Sequence, residues 1–222
     1  MIISFLLFFS ISHSNLSRPR YKADLIKDRF SVGTKICAIS RDYCNLKLSF
    51  LVGFCDASFA NLPDSGSQGA FLIFLIDEQG LYCPIAWQSR RIRRVVHSTI
   101  GAECLAAVEV SEMCIYLSKI VTEMLGPQKT TIDIHILSDN KSLIDQIHSS
   151  TSVENKRLRI DMGVLRDMYN NKEIHEFKWI PTQLQIANAL TKKGCSSTYL
   201  IQVLQGRCRF DLSSGEFVSN NV

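Results

Sequence analysis

The sequence predicts an α/β fold, a mixed five-stranded sheet in the order β-β-β-α-β-α-α-β-α with helices packed on it. Three observations predict it. Strand-like runs rich in Leu, Val and Phe follow one another from Leu46 to Ser89, separated by short turns. A long stretch with mostly helical spacing of its apolar residues then runs from Ser98 to Gly126. Two further extended segments, "TTIDIHILSD" and "IHEFKWIP", each follow a helical pattern.

"LKLSFLVGFCDASF" reads as the first strand, and "ANLPDSGSQG" as a turn cluster punctuated by Pro63, Gly66 and Gly69. "AFLIFLID" is the second strand, Glu78-Gln79-Gly80 a tight turn, and "LYCPIAWQS" the third strand. Three strands so joined imply an antiparallel meander. In the long helix Leu105, Val108, Ile115 and Leu117 mark an apolar face. Ser98 or Thr99 can cap its start, and Gly126-Pro127 ends it. "TTIDIHILSD" alternates as a strand and "NKSLIDQIHS" is a short helix. A longer helix has Leu158, Met162, Leu165 and Tyr169 on one face. "IHEFKWIP" closes at Pro181, and Gln185–Gly194, "QIANALTKKG", reads as a short amphipathic helix with Asn188 on its polar side. The expected organisation is an N-terminal extension and linker over 1–45, one domain over 46–194 and a C-terminal tail over 195–222.

With 222 residues, 46% hydrophobic and 21% charged, the chain has ordinary globular composition. A net charge of +4 permits a polyanionic partner without demanding one. The eight cysteines form no C-x-x-C pair, which argues against a structural zinc site. They read as reduced thiols of an intracellular protein, although an even count is compatible with disulfides. Cys55 and Cys104 fall in strongly apolar segments, as small buried hydrophobes do. The apolar run from Ile2 to Ile11 is too short to span a bilayer, so no membrane partner is expected. It lacks the preceding positive charge of a signal peptide, which leaves secretion as the minor alternative.

The chemistry sits in the acidic residues. Asp56 lies inside an apolar strand, where an unpaired carboxylate costs several kcal/mol and so calls for a cation. Glu103 is expected in the first turn of the long helix, where the helix dipole is an alternative reason for it. Asp139 ends the fourth strand, where α/β sheets place ligand sites, but it can also cap the following helix. If first and fourth strands are neighbours, the three carboxylates converge. Such a group suits hard divalent cations, and a pair of them can activate a water and stabilise the leaving oxygen of a phosphodiester.

With these positions in hand, "CDASFAN", "STIGAECLA", "LSDNKSLI" and "WIPTQLQIANALTKKG" resemble the ribonuclease H domain of copia-type LTR retrotransposon reverse transcriptases, from about Leu46 to Gly194. The resemblance implies a ribonuclease H-like fold and hydrolysis of the RNA strand of RNA–DNA hybrids. It also implies two Mg²⁺ ions, for which Mn²⁺ can substitute, and a place among other polyprotein domains. It assigns metal binding and catalysis to Asp56, Glu103 and Asp139. The fourth carboxylate of that family matches Asn188, whose amide oxygen can ligate a cation but brings no charge. The resemblance thus implies an impaired endonuclease or, alternatively, a catalytically inactive hybrid- or RNA-binding remnant.

Nucleic-acid contacts are expected from Arg90, Arg91, Arg93 and Arg94, a cluster that either neutralises phosphates or is a solvated loop. Asn140 and Lys141 are placed to reach the minor groove, where 2′-hydroxyls distinguish RNA from DNA. Trp87 and Trp179, both on strands, are read as core rather than as base-stacking surfaces.

Overall fold

The computed structural model describes residues 48–125 and 132–219. The N-terminal extension, with its apolar run, Cys37 and Cys44, lies outside the described residues, as does the Gly126-Pro127 helix stop. Strands β1 (Leu48–Ser58), β2 (Gln68–Asp77) and β3 (Tyr82–Arg91) form the expected antiparallel meander. Strand β4 (Asp133–Ser138) adds to the other side of β1 in parallel, and β5 (Glu176–Trp179) adds in parallel to β4. The result is the mixed five-stranded sheet that the sequence predicts, in the order β3-β2-β1-β4-β5. Pro84 falls on an edge strand, where the missing N–H is tolerated, and opposite it the β2–β3 register shifts.

A parallel β1–β4 pair needs a crossover, and α1 (Thr99–Leu125) supplies most of it. The Ser98 hydroxyl accepts a hydrogen bond from the Gly101 N–H at 3.2 Å, closing the first turn as expected. The helix phase agrees with the expected one at Leu117 alone. Its buried stripe is Ala107, Val110, Cys114, Leu117 and Val121, whereas Val108 and Ile115 are only partly buried against the same core. At Gly53 the helix lies close on the sheet. A Cβ on Gly53 of β1 would come within 2.7 Å of Val110 Cγ2. Helices α2 (Lys141–His148) and α3 (Lys156–Asn170) complete this layer, with Leu143, Ile147, Met162 and Leu165 buried.

The second face carries a separate core. Val52, Phe54, Leu72, Phe74 and Leu137 point into it. It is covered by α4 (Asn188–Thr191), α5 (Thr198–Leu204) and the hairpin of β6 (Cys208–Asp211) and β7 (Glu216–Ser219). The stretch read as a tail, 195–222, therefore carries a helix and a hairpin. Phe217 sits among the rings of Phe54, Phe74, Tyr82 and Phe210, at centroid distances of 4.7–5.7 Å. The hairpin docks where the β2–β3 turn approaches it: Gly80, at φ +78, accepts from the Phe210 N–H at 2.8 Å, and a Cβ there would run into the Phe210 carbonyl. With both faces covered, β2 is buried along its whole length, the reason its sequence is a continuous apolar run. Cys55 and Cys104 are buried as expected. Among the described residues no helix is long and apolar enough to cross a membrane.

If the hairpin is part of the core, Phe217→Ala should cost about 3–5 kcal/mol. Val218→Ala, on the half-exposed side of the same strand, should cost no more than about 0.5 kcal/mol. Urea unfolding of both variants checks this, and equal small losses would show that the hairpin contributes little.

Candidate functional site

The β1–β4 register builds the site. Phe54 pairs with Leu137, so two residues further along the parallel strands Asp56 and Asp139 come side by side. Asp56 is still paired to Ala70 of β2 and is fully buried. Glu103 begins the buried stripe of α1, one helical turn ahead of Ala107, and reaches the same strand end. Its Oε2 accepts from the Ala57 N–H at 3.2 Å. One carboxylate oxygen from each of Asp56, Glu103 and Asp139 lies within 4.8 Å of the others, so the structure brings these three together. Both local alternatives fall away. The first turn of α1 holds no acidic residue, and Glu103 is the fifth residue of the helix. The α2 N-cap is Asn140, whose Oδ1 accepts from the Leu143 N–H at 3.0 Å, not Asp139.

Asn188 joins the same cluster, but not as expected. Gln185–Gly194 is not one amphipathic helix. Within it only Asn188–Thr191, the single turn of α4, is helical, a 3₁₀ turn over Thr182–Leu184 precedes it, and Asn188 is buried rather than on a polar face. The Asn188 Nδ2 donates to the Thr182 carbonyl at 3.1 Å and to Asp139 Oδ2 at 3.4 Å. Its Oδ1 accepts from the Lys192 ammonium. The neighbours fix which way the amide points, since both partners on one side are acceptors and the partner on the other is a donor. Lys192 Nζ also lies 3.2 Å from Asp56 Oδ1, and the Thr191 hydroxyl donates to Asp56 Oδ2. Thr191 and Lys192 escaped the sequence reading. Thr191, three residues after Asn188 on α4, had that spacing as the available signal, whereas Lys192 follows the helix in extended backbone. Gln185 escaped it too. Its Nε2 donates to the Cys55 carbonyl at 2.9 Å and the Leu137 carbonyl at 3.4 Å, tying the ends of β1 and β4 together.

Burial and the charges of Asp56 and Asp139 push the Glu103 carboxyl up to about 9. Burial also raises Asp56, against the hydrogen bond from Thr191 and the charge of Lys192. Half-burial works against the Lys192 charge, but Asp56 and Asp139 hold its ammonium above the usual lysine range. Buried carboxyls this close to one another favour a cation between them. Their all-oxygen donor set fits a hard divalent ion held by Asp56, Glu103 and Asp139.

The arginines are spread over two elements. Arg90 and Arg91 end β3 and pair with Glu109 and Asp64, and Arg94 pairs with Asp161 at 2.8 Å. Arg93 is exposed, as is Lys141 at the first position of α2 beside the carboxylates. Trp87 packs against the second core. Trp179 does not belong to the core: it is 43% exposed on the edge strand β5, and its Nε1 donates to the Asp139 carbonyl at 3.1 Å.

No family model matches the chain, and no curated protein matches it. Among solved structures it is similar to RNase H1 of the halophilic archaeon Halobacterium salinarum NRC-1, at 15% identity over 64% of this chain and 95% of that one, with a TM-score of 0.45. LC11-RNase H1, isolated from compost and solved with an RNA/DNA hybrid, matches at 15% identity over 64% of this chain and 93% of its own, with a TM-score of 0.47. A foamy viral protease-reverse transcriptase structure with dsDNA matches at 14% identity over 67% and 93%, with a TM-score of 0.41.

The raised Glu103 carboxyl has a consequence for stability. Between its ordinary value of 4.5 and about 9, the unfolded chain releases a proton that the folded chain keeps. The metal-free protein should therefore lose stability as pH rises through that window, with Asp56 acting in the same direction. Thermal unfolding in EDTA across that pH range should show the fall, and Glu103→Gln should flatten it. An identical slope in the variant would mean that Glu103 ionises normally in the fold.

Proposed function

We propose that residues 46–194 are the ribonuclease H-like domain of a copia-type retroelement, once part of a reverse transcriptase polyprotein, which hydrolyses the RNA strand of RNA–DNA hybrids. The observation that carries this reading is the convergence of Asp56, Glu103 and Asp139 at the end of the parallel β1–β4 pair, within 4.8 Å of one another and largely out of water. Three of the four sequence motifs that resemble that family carry these carboxylates, and the fourth carries Asn188. An intracellular location belongs to the same reading and is supported by the buried thiols of Cys55, Cys104 and Cys114.

In this reading Asp56, Glu103 and Asp139 hold divalent cations, Mg²⁺ or in its place Mn²⁺. Bound there, such ions activate a water and stabilise the leaving oxygen of a phosphodiester. The chain's own part is positioning. The Ala57 N–H fixes the Glu103 carboxylate, Thr191 fixes that of Asp56, and Gln185 locks the two strand ends that carry the aspartates. Asn188 stands where the family has a fourth carboxylate and weakens a second ion by removing a charge, on the order of 1–3 kcal/mol. Lys141 and Arg93 are exposed and take phosphate or groove contacts directly. Arg90, Arg91 and Arg94 first exchange their carboxylate partners for phosphates.

Cleavage of a labelled RNA–DNA hybrid against Mg²⁺ concentration tests the reading. Asp56→Asn should abolish cleavage, and Asn188→Asp should raise the rate and lower the Mg²⁺ needed for half of it. No cleavage by wild type or Asn188→Asp, with hybrid binding retained, would favour the alternative of an inactive hybrid-binding remnant. That alternative draws on Lys192, whose ammonium already offsets part of the site's negative charge. For the basic surface, alanine at both Arg91 and Arg93 should lower the salt slope of hybrid affinity by roughly 1 for each phosphate that is no longer neutralised. An unchanged slope would remove these arginines from the interface.

A further inference from the structure

We propose that the Lys192 ammonium is a built-in cation of the acidic site, standing in the place of a second metal ion, so that the site takes a single divalent cation beside it. This rests on the reading of Asp56, Glu103 and Asp139 as cation ligands. Lys192 Nζ engages one oxygen of Asp56 at 3.2 Å and the Asn188 Oδ1, the two oxygens that a second ion on this side of Asp56 needs. The Asn188 side chain is committed to the arrangement. Its NH₂ points at the Thr182 carbonyl and the Asp139 carboxylate, leaving its oxygen for the ammonium. The asparagine bridges the Asp139 carboxylate to the lysine that caps the end of α4. The charges also balance: three carboxylates are met by one ammonium and one divalent ion. Lysine suits the task because a compact ammonium on a flexible stem can sit where a small ion would.

Mn²⁺ binding to the full chain without nucleic acid, followed by calorimetry and electron paramagnetic resonance, tests this. Wild type should bind one ion per chain. Lys192→Met should bind Mn²⁺ more tightly, on the order of tenfold, because the ion no longer shares the site with a like charge. In EDTA that variant should also unfold at a lower temperature than wild type, since its carboxylates are without their counter-charge, and Mn²⁺ should close the gap. Lys192→Arg, which keeps the charge, should stay near wild type in affinity and so separates charge from shape. Two ions per wild-type chain, or equal Mn²⁺ affinity in wild type and Lys192→Met, would overturn the built-in cation while leaving the metal-site reading standing. No Mn²⁺ binding in wild type or either variant would overturn both. Because the Lys192 side chain is 41% exposed, its replacement leaves no cavity in the core.

Discussion

The parallel pairing of β1 with β4 is the constraint on which the other features depend. It places Asp56 beside Asp139, because two parallel strands in register run out at the same end of the sheet. It requires a crossover, and the crossover helix arrives with Glu103 at that same end. It puts β1 in the middle of the sheet, where both faces must be covered, so the second layer of α4, α5 and the C-terminal hairpin is a necessity rather than an ornament.

Bringing three carboxylates to one buried place creates an electrostatic problem, and the site is shaped by how it is met. Backbone and side-chain donors answer part of it: the Ala57 N–H for Glu103 and the Thr191 hydroxyl for Asp56. Lys192 answers more, with a full charge against Asp56. What is left still holds Glu103 well above an ordinary carboxyl, which is the physical basis for expecting a cation. Asn188 fits this picture as a connector. It donates on the carboxylate side and accepts on the ammonium side, a division of labour that aspartate, having only acceptors when ionised, cannot perform.

The layer over the second face explains why these groups stay out of water. Alternation along β1 puts Asp56 on the same face as Val52 and Phe54. The aromatic group around Phe217 anchors the hairpin on that face, beneath which α4 presents Asn188, Thr191 and Lys192 to the end of β1. Core packing and the polar site are therefore parts of one layer.

The sequence by itself determined the sheet and its candidate ligands. Period-two and continuous apolar runs fix strands by local geometry, and a carboxylate such as Asp56 in the middle of one is costly wherever the strand lies. Helix α3 was legible for the same reason, since Leu158, Met162, Leu165 and Tyr169 face the core as their spacing says. Tertiary structure decided the rest. It chose which apolar residues of α1 face the sheet, Val110 and Cys114 over Val108 and Ile115, with the helix close against Gly53. It gave the residues after Cys195 a core to pack on, and it left Trp179 at an edge. It also brought Lys192 to Asp56, across 136 positions of chain. Local sequence fixes which groups a segment offers. Which opposite charge reaches a buried carboxylate depends on contacts between distant segments, and those exist only once the sheet and both its layers have closed.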